Sequence, residues 1–168
     1  MGAGHNGAAR ELSARLVAQG NSTQIVDYME MIPLHLGGVV RWSYKFQLRH
    51  FAWTYDLTYQ AFSRGGAFLW APVVWGMGLI TRRPLLRLLL NTRPDAIVST
   101  YPLASLVLGR MRSKHWLSVP VATFLTDFAV HSLWVHPGID LHLAVSPESA
   151  ATANQRGSHA SVAAGPRC

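Results

Sequence analysis

Three short stretches carry side chains that can bind or move protons. The first is Gly2-Ala3-Gly4-His5-Asn6-Gly7, which leads into a helix-like pattern. Glycines let backbone approach a ligand closely, and the free N–H groups of a helix start favour a phosphate or a developing oxyanion. A neutral imidazole at His5 can accept a proton from a hydroxyl, so His5 is the candidate general base. The stretch is neither a Walker phosphate loop, since no Gly-Lys-Ser/Thr follows, nor the full dinucleotide fingerprint. The second stretch is Thr126-Asp127, with His131 and Trp134 close behind. Asp127 follows an apolar strand-like run, where α/β domains place ligands, so it can orient His5 or accept from a substrate hydroxyl. It can equally cap the next turn. The third is Ser99-Thr100-Tyr101-Pro102, between a strand pattern and a helix pattern. Its hydroxyls and helix-start N–H groups can face the same cleft, although ordinary capping explains them too. His131, His136 and His142 invite a zinc reading, but their irregular context and the lack of cysteine ligands argue against it.

These residues need a scaffold, and the sequence outlines one. Met1 to Gly7 reads as a glycine-rich turn, Ala8 to Gln19 as a helix stopped by Gly20, and Thr23 to Tyr28 as a β-branched strand. Met31 to Arg93 reads as mostly helical, with interruptions at Pro33, Gly37-Gly38, Gly65-Gly66, Pro72 and Pro84. After Pro94, strand and helix alternate: Ala96–Ser99, helix Pro102–Arg112, Val119–Phe124, Asp140–Val145, helix Pro147–Gln155, then a last strand at Ser161–Ala164. Alternation of this kind implies a Rossmann-like α/β domain, a parallel sheet with crossover helices. The four strands Thr23–Tyr28, Ala96–Ser99, Val119–Phe124 and Leu141–Val145 are expected in one sheet, with a helical, basic and aromatic insertion between Pro33 and Arg93. In such a layout a glycine-rich loop normally follows a strand, so a first strand is expected ahead of His5.

The 168 residues suit one domain, and 49% hydrophobic against 14% charged residues supports a core. The net charge of +7 is concentrated between Met31 and Pro94, where eight basic residues meet a single acid, Asp56. That stretch holds Arg82, Arg83 and Arg87, and four of the six tryptophans, Trp70 and Trp75 among them. Cations mixed with amphipathic rings suit an anionic membrane surface, with these five residues as the expected contacts. Nucleic acid is the competing partner for such a surface, but Leu, Val and Met are more abundant than a stacking groove needs, so none is expected. The longest apolar run, Ala67 to Ile80, is 14 residues. That is shorter than the roughly 20 a spanning helix requires. Cys168, the only cysteine, says little about redox compartment, but Met1 to Glu11 lacks an apolar signal region, so export is disfavoured and peripheral attachment on the cytoplasmic side is expected.

Several of these motifs recur together elsewhere. GAGHNGAARELSARL, IVDYMEMIPLHLG, PDAIVSTYPLASLVLGRMR and VPVATFLTDFAVHSLWVHPGIDLHLAVSPE, closing on Gly165-Pro166, resemble the N-terminal domain of monogalactosyldiacylglycerol synthases and processive diacylglycerol glucosyltransferases of glycosyltransferase family 28. The resemblance covers nearly the whole chain. It implies one half of a two-domain GT-B glycosyltransferase: residues 1–168 hold the lipid acceptor, and a C-terminal domain, absent from this sequence, holds the UDP-sugar. It implies inverting transfer to diacylglycerol or a related lipid, with no bound metal or other cofactor. The absence of an Asp-x-Asp pair agrees with that. The family's glycine-loop histidine matches His5 and its Thr-Asp segment matches Thr126-Asp127. Gly2, Gly4, Asn6, Thr100, Tyr101, Thr126, His131 and Trp134 are then the expected substrate-binding residues, and His5 and Asp127 the catalytic pair. Ser132 follows His131 where relatives often carry proline. The alternative is a catalytically inactive, lipid-binding fragment at the membrane surface.

Overall fold

In the computed structural model, residues 3–32, 38, 42, 67–127, 130 and 133–164 are described. The chain begins with helix α1 (Ala3–Ala18), continues through a 3-10 turn (Tyr28–Met31) and resumes with helix α2 (Ala67–Thr92). It then alternates β1 (Ile97–Ser99), α3 (Pro102–Ser113), β2 (Val121–Leu125), β3 (Leu141–Ala144), α4 (Pro147–Gln155) and β4 (Ser161–Ala163).

The four strands form one parallel sheet in the order β1-β2-β3-β4. This is the Rossmann-like α/β domain expected from the alternation. Val121, Thr123 and Leu125 of β2, with His142 and Ala144 of β3, are the buried positions of an alternating pattern. Val121 joins a core with Val107, Leu108 and Met111 of α3, Leu85 of α2, and Ile139. Leu125 joins a second core with Trp134, Val130, Ala144, and Ala150 and Ala153 of α4. Strand β2 therefore ties the two cores together. Pro102 and Pro147 stand in the first turns of α3 and α4, where a missing N–H costs nothing. Ser146 caps α4 through the Ser149 amide.

Three expectations are corrected. Thr23–Tyr28 is not a strand: the backbone has no regular pairing up to Asp27, and Tyr28 opens the 3-10 turn. β-branched residues favour extension, but a strand exists only where a neighbour supplies its hydrogen bonds. Met1–Gly7 is not a free-standing turn either, because helix α1 already begins at Ala3. Two internal glycines cost a helix about 1 kcal/mol each, too little to stop it when its first turn is tied to the sheet. Finally, α2 runs uninterrupted through Pro72 and Pro84. Pro84 leaves the Ile80 carbonyl without its helical donor, but Ile80 is 43% exposed, so the surroundings there are open. The remainder of the basic and aromatic insertion lies outside the described residues, apart from isolated positions 38 and 42.

Candidate active site

In a parallel sheet all carboxyl ends share one edge, and β1 and β2 are neighbours there. Each is followed at once by a threonine. The Thr100 hydroxyl donates to the His5 carbonyl at 3.2 Å, and the Thr126 hydroxyl lies 2.8 Å from His5 Nδ1. Two adjacent strand ends thus grip the first turn of α1, one by its backbone and one by its imidazole. The ring is half-buried. It meets Tyr101 edge-on, with centroids 5.6 Å apart and planes at 80°, and Trp134 at 5.8 Å and 49°. Aromatic contacts on two sides and a hydrogen bond at Nδ1 fix the rotamer and leave Nε2 as the other ring nitrogen.

The hydrogen bond at His5 Nδ1 is to Thr126, a residue to which the sequence assigned substrate binding rather than support of the ring. Asp127 accepts from the Trp134 indole N–H at 2.9 Å. Trp134 is fully buried in the second core, so its contribution comes through His5 and Asp127 rather than through an open surface. Ser99 also turns inward. Its hydroxyl donates to the Tyr101 carbonyl and receives the Ser105 hydroxyl, which stitches the start of α3 to β1. Gly4 and Asn6 flank His5 in the first turn of α1 and are exposed, and nothing lies within 4 Å of the position a Cβ on Gly4 would take. Gly2 and His131 lie outside the described residues.

Behind Tyr101 stands a residue that motif reading missed. The Tyr28 ring lies 6.3 Å from that of Tyr101. Its hydroxyl is 2.8 Å from Thr81 Oγ1, and Thr81 in turn donates to the Met77 carbonyl. With the Thr81 proton committed, the phenol is the donor. Burial pushes the Tyr28 hydroxyl up to about 12, against the opposing effect of the Thr81 bond. Nothing local in the sequence pairs residues 53 positions apart.

The remaining candidates are placed elsewhere. On α2, Arg83 and Arg87 are exposed, together with Trp75 (63%), Leu79 and Ile80. Arg82 stacks on Trp116, its guanidinium carbon 3.7 Å from the ring centroid. Trp70 belongs to α2, but its side chain lies outside the described residues. His136 accepts from the Gly138 amide at Nδ1, and His142 Nδ1 meets the Ser158 hydroxyl at 2.7 Å. Among the described residues, no three His, Cys, Asp or Glu side chains gather in a way that could hold a metal ion.

With this geometry in view, the comparisons with known proteins are decisive. The family profile of monogalactosyldiacylglycerol (MGDG) synthase matches residues 5–164, from the candidate base to the last strand. The chain belongs to the MGDG synthase family. Among similar proteins, a processive diacylglycerol beta-glucosyltransferase of Bacillus thuringiensis (strain Al Hakam) is 36% identical over 59 residues, which is 34% of this chain and 15% of that protein. Its namesake from Bacillus cereus (strain B4264) is 34% identical over 59 residues, 35% of this chain and 15% of the relative. The matched part is thus a small share of these longer enzymes. No solved structure matches the chain. Within the MGDG synthase family profile fall His5, Thr100, Thr126 and Asp127, the residues that meet at the carboxyl edge.

Proposed function

We propose that this chain is the acceptor-side domain of a GT-B glycosyltransferase that makes glycolipid at a membrane surface. The donor is a nucleotide sugar held by a second domain, and the acceptor is diacylglycerol or a related lipid. The observation that carries the reading is the His5–Thr126 pair at the carboxyl edge, inside a chain of the MGDG synthase family.

The chemistry follows from the ring's placement. With Nδ1–H donating to Thr126, Nε2 presents its lone pair to an incoming lipid hydroxyl. As the hydroxyl oxygen attacks the anomeric carbon, its proton passes to Nε2. The bond from that carbon to the diphosphate breaks on the opposite face, so configuration inverts and the nucleoside diphosphate leaves with the electron pair. Asp127, held by the Trp134 indole just past the same strand end, is the supporting carboxylate. The exposed stripe of Trp75, Leu79, Ile80, Arg83 and Arg87 supports docking on anionic lipid from the cytoplasmic side. No described helix is long and apolar enough to cross a membrane, which agrees with peripheral attachment.

The test is glycolipid formation from UDP-sugar and diacylglycerol vesicles, with the donor domain supplied. Replacing His5 by Ala should lower the rate by about 100-fold or more, the usual worth of a general base. Transfer at an unchanged rate would remove His5 from the mechanism.

A further inference from the structure

A polar seam separates the two apolar cores. On β2, Val121 belongs to the first core and Leu125 to the second, and Thr123 lies between them on the same buried face. The chain entering β3 repeats the pattern, with His142 between Ile139 of the first core and Ala144 of the second. Thr123 and His142 are register partners, so their side chains stand one strand spacing apart, about 4.8 Å. Both residues are fully buried. Thr123 Oγ1 and His142 Nε2 nevertheless have no hydrogen-bond partner among the described residues.

Helix α3 brings a charge to this seam. Arg110 Nη1 is buried and likewise unpartnered. No described carboxylate pairs with Arg110, since the described ion pairs are Arg15–Glu11 and Arg112–Asp140. Its neighbour Gly109 abuts the His136 ring, and both the Arg110 charge and His142 act on that ring, which burial holds neutral down to about pH 4. Arg110 and His142 therefore meet around His136, and His136 supplies no balancing charge. Orphaned polar atoms are costly in a close-packed interior, and a guanidinium without a counter-charge more so.

The chemistry of the three atoms selects the ligand. Arg110 and Thr123 each offer a donor. The Ser158 hydroxyl has one proton and two acceptors in reach, His142 Nδ1 at 2.7 Å and the Ala160 carbonyl at 3.0 Å. That carbonyl already receives the His142 amide, so the proton goes to the nearer nitrogen and His142 keeps its own on Nε2. Three donors and one unbalanced positive charge fit an anion. Water offers two lone pairs to three donors and leaves the charge unbalanced. A metal cation is repelled by Arg110 and finds no carboxylate. The tight approach of α3 to His136 restricts the ligand to a small ion. We infer that Arg110, Thr123 and His142 form a buried site for a monovalent anion of chloride size, seated between the two cores and joining α3 to β2 and β3. The site is separate from the carboxyl edge and from the reaction proposed above.

Bromide is the probe. In thermal unfolding of the full chain at fixed ionic strength, replacing sodium gluconate by sodium bromide should raise Tm along a saturating curve, by about 3–6 °C at a tenfold excess over Kd. Arg110→Met keeps the stem and removes the charge, and Thr123→Val keeps the shape and removes the hydroxyl. Each should flatten the bromide curve, whatever it does to Tm in gluconate, while Arg83→Gln on the exposed face of α2 should leave the curve unchanged. Crystals grown in bromide should show an anomalous peak in contact with Arg110 Nη1. Equal Tm in bromide and gluconate would overturn the assignment, as would a bromide response that survives Arg110→Met. So would a water without anomalous signal bonded to Thr123 and His142 at saturating bromide.

Discussion

His5 is held by groups that do not themselves need to touch substrate, and this separates positioning from chemistry. Thr126→Val keeps the shape of the side chain and removes the oxygen 2.8 Å from Nδ1. The expected result is a fall in kcat of about 10- to 100-fold with KM little changed, and a shifted pH profile, because the ring loses the partner that selects its tautomer. Thr126→Ser should restore most of the rate. His136 makes a different, purely structural prediction. Burial, the Arg110 charge and His142 together lower it to about 4, and its Nδ1 must stay unprotonated to accept the Gly138 amide. Above pH 6.5 both folded and unfolded states are neutral there, and the stability is fully present. Below that, the unfolded chain takes up the proton first, so stability is lost as pH falls from about 6.5 toward 4, by about 2 kcal/mol after allowing for partial solvent access. Urea unfolding at pH 7.5 and pH 5 measures the loss, and His136→Asn, which keeps an acceptor without a titration, should flatten it.

At the scale of elements, α3 and the loop before β3 approach more closely than side chains allow. A Cβ on Gly109 would stand 2.6 Å from His136 Nδ1 and 2.8 Å from its Cβ. Gly109→Ala should therefore destabilise the domain by about 1–3 kcal/mol, despite the better helix propensity of alanine, as read from the urea midpoint. Such contacts explain what was legible in the sequence. The strands after Pro94 are short apolar runs bounded by proline or polar turns, and each appears within a residue or two of its expected place. That Thr100, Tyr101, Thr126 and Asp127 share one edge also followed from strand-then-loop placement. The Thr126 contact with His5 Nδ1 did not, because it depends on which way that side chain points at the end of β2. The continuity of α2 through Pro84 and the lack of strand pairing over Thr23–Tyr28 were likewise hidden, since local sequence pattern does not decide either.

For the whole molecule, the stripe on α2 gives a membrane prediction with an internal contrast. Arg83 and Arg87 are exposed, whereas Arg82 already stacks on Trp116. Each free cation near anionic lipid contributes about 1 kcal/mol, a term that salt screens. The Arg83→Glu/Arg87→Glu variant should lose most of its low-salt co-sedimentation with anionic vesicles, and Arg82→Gln much less. A fraction that survives high salt is expected from Trp75, Leu79 and Ile80, and Trp75→Ala should reduce it. The Tyr28–Thr81 hydrogen bond has a wider consequence. It pins the two ends of a 53-residue span against each other, buried beneath Tyr101. Closing a longer or shorter span costs only about 0.6 kcal/mol per doubling of length. A change of length within this span should therefore cost the domain little, while the carboxyl edge around Tyr101 keeps its shape.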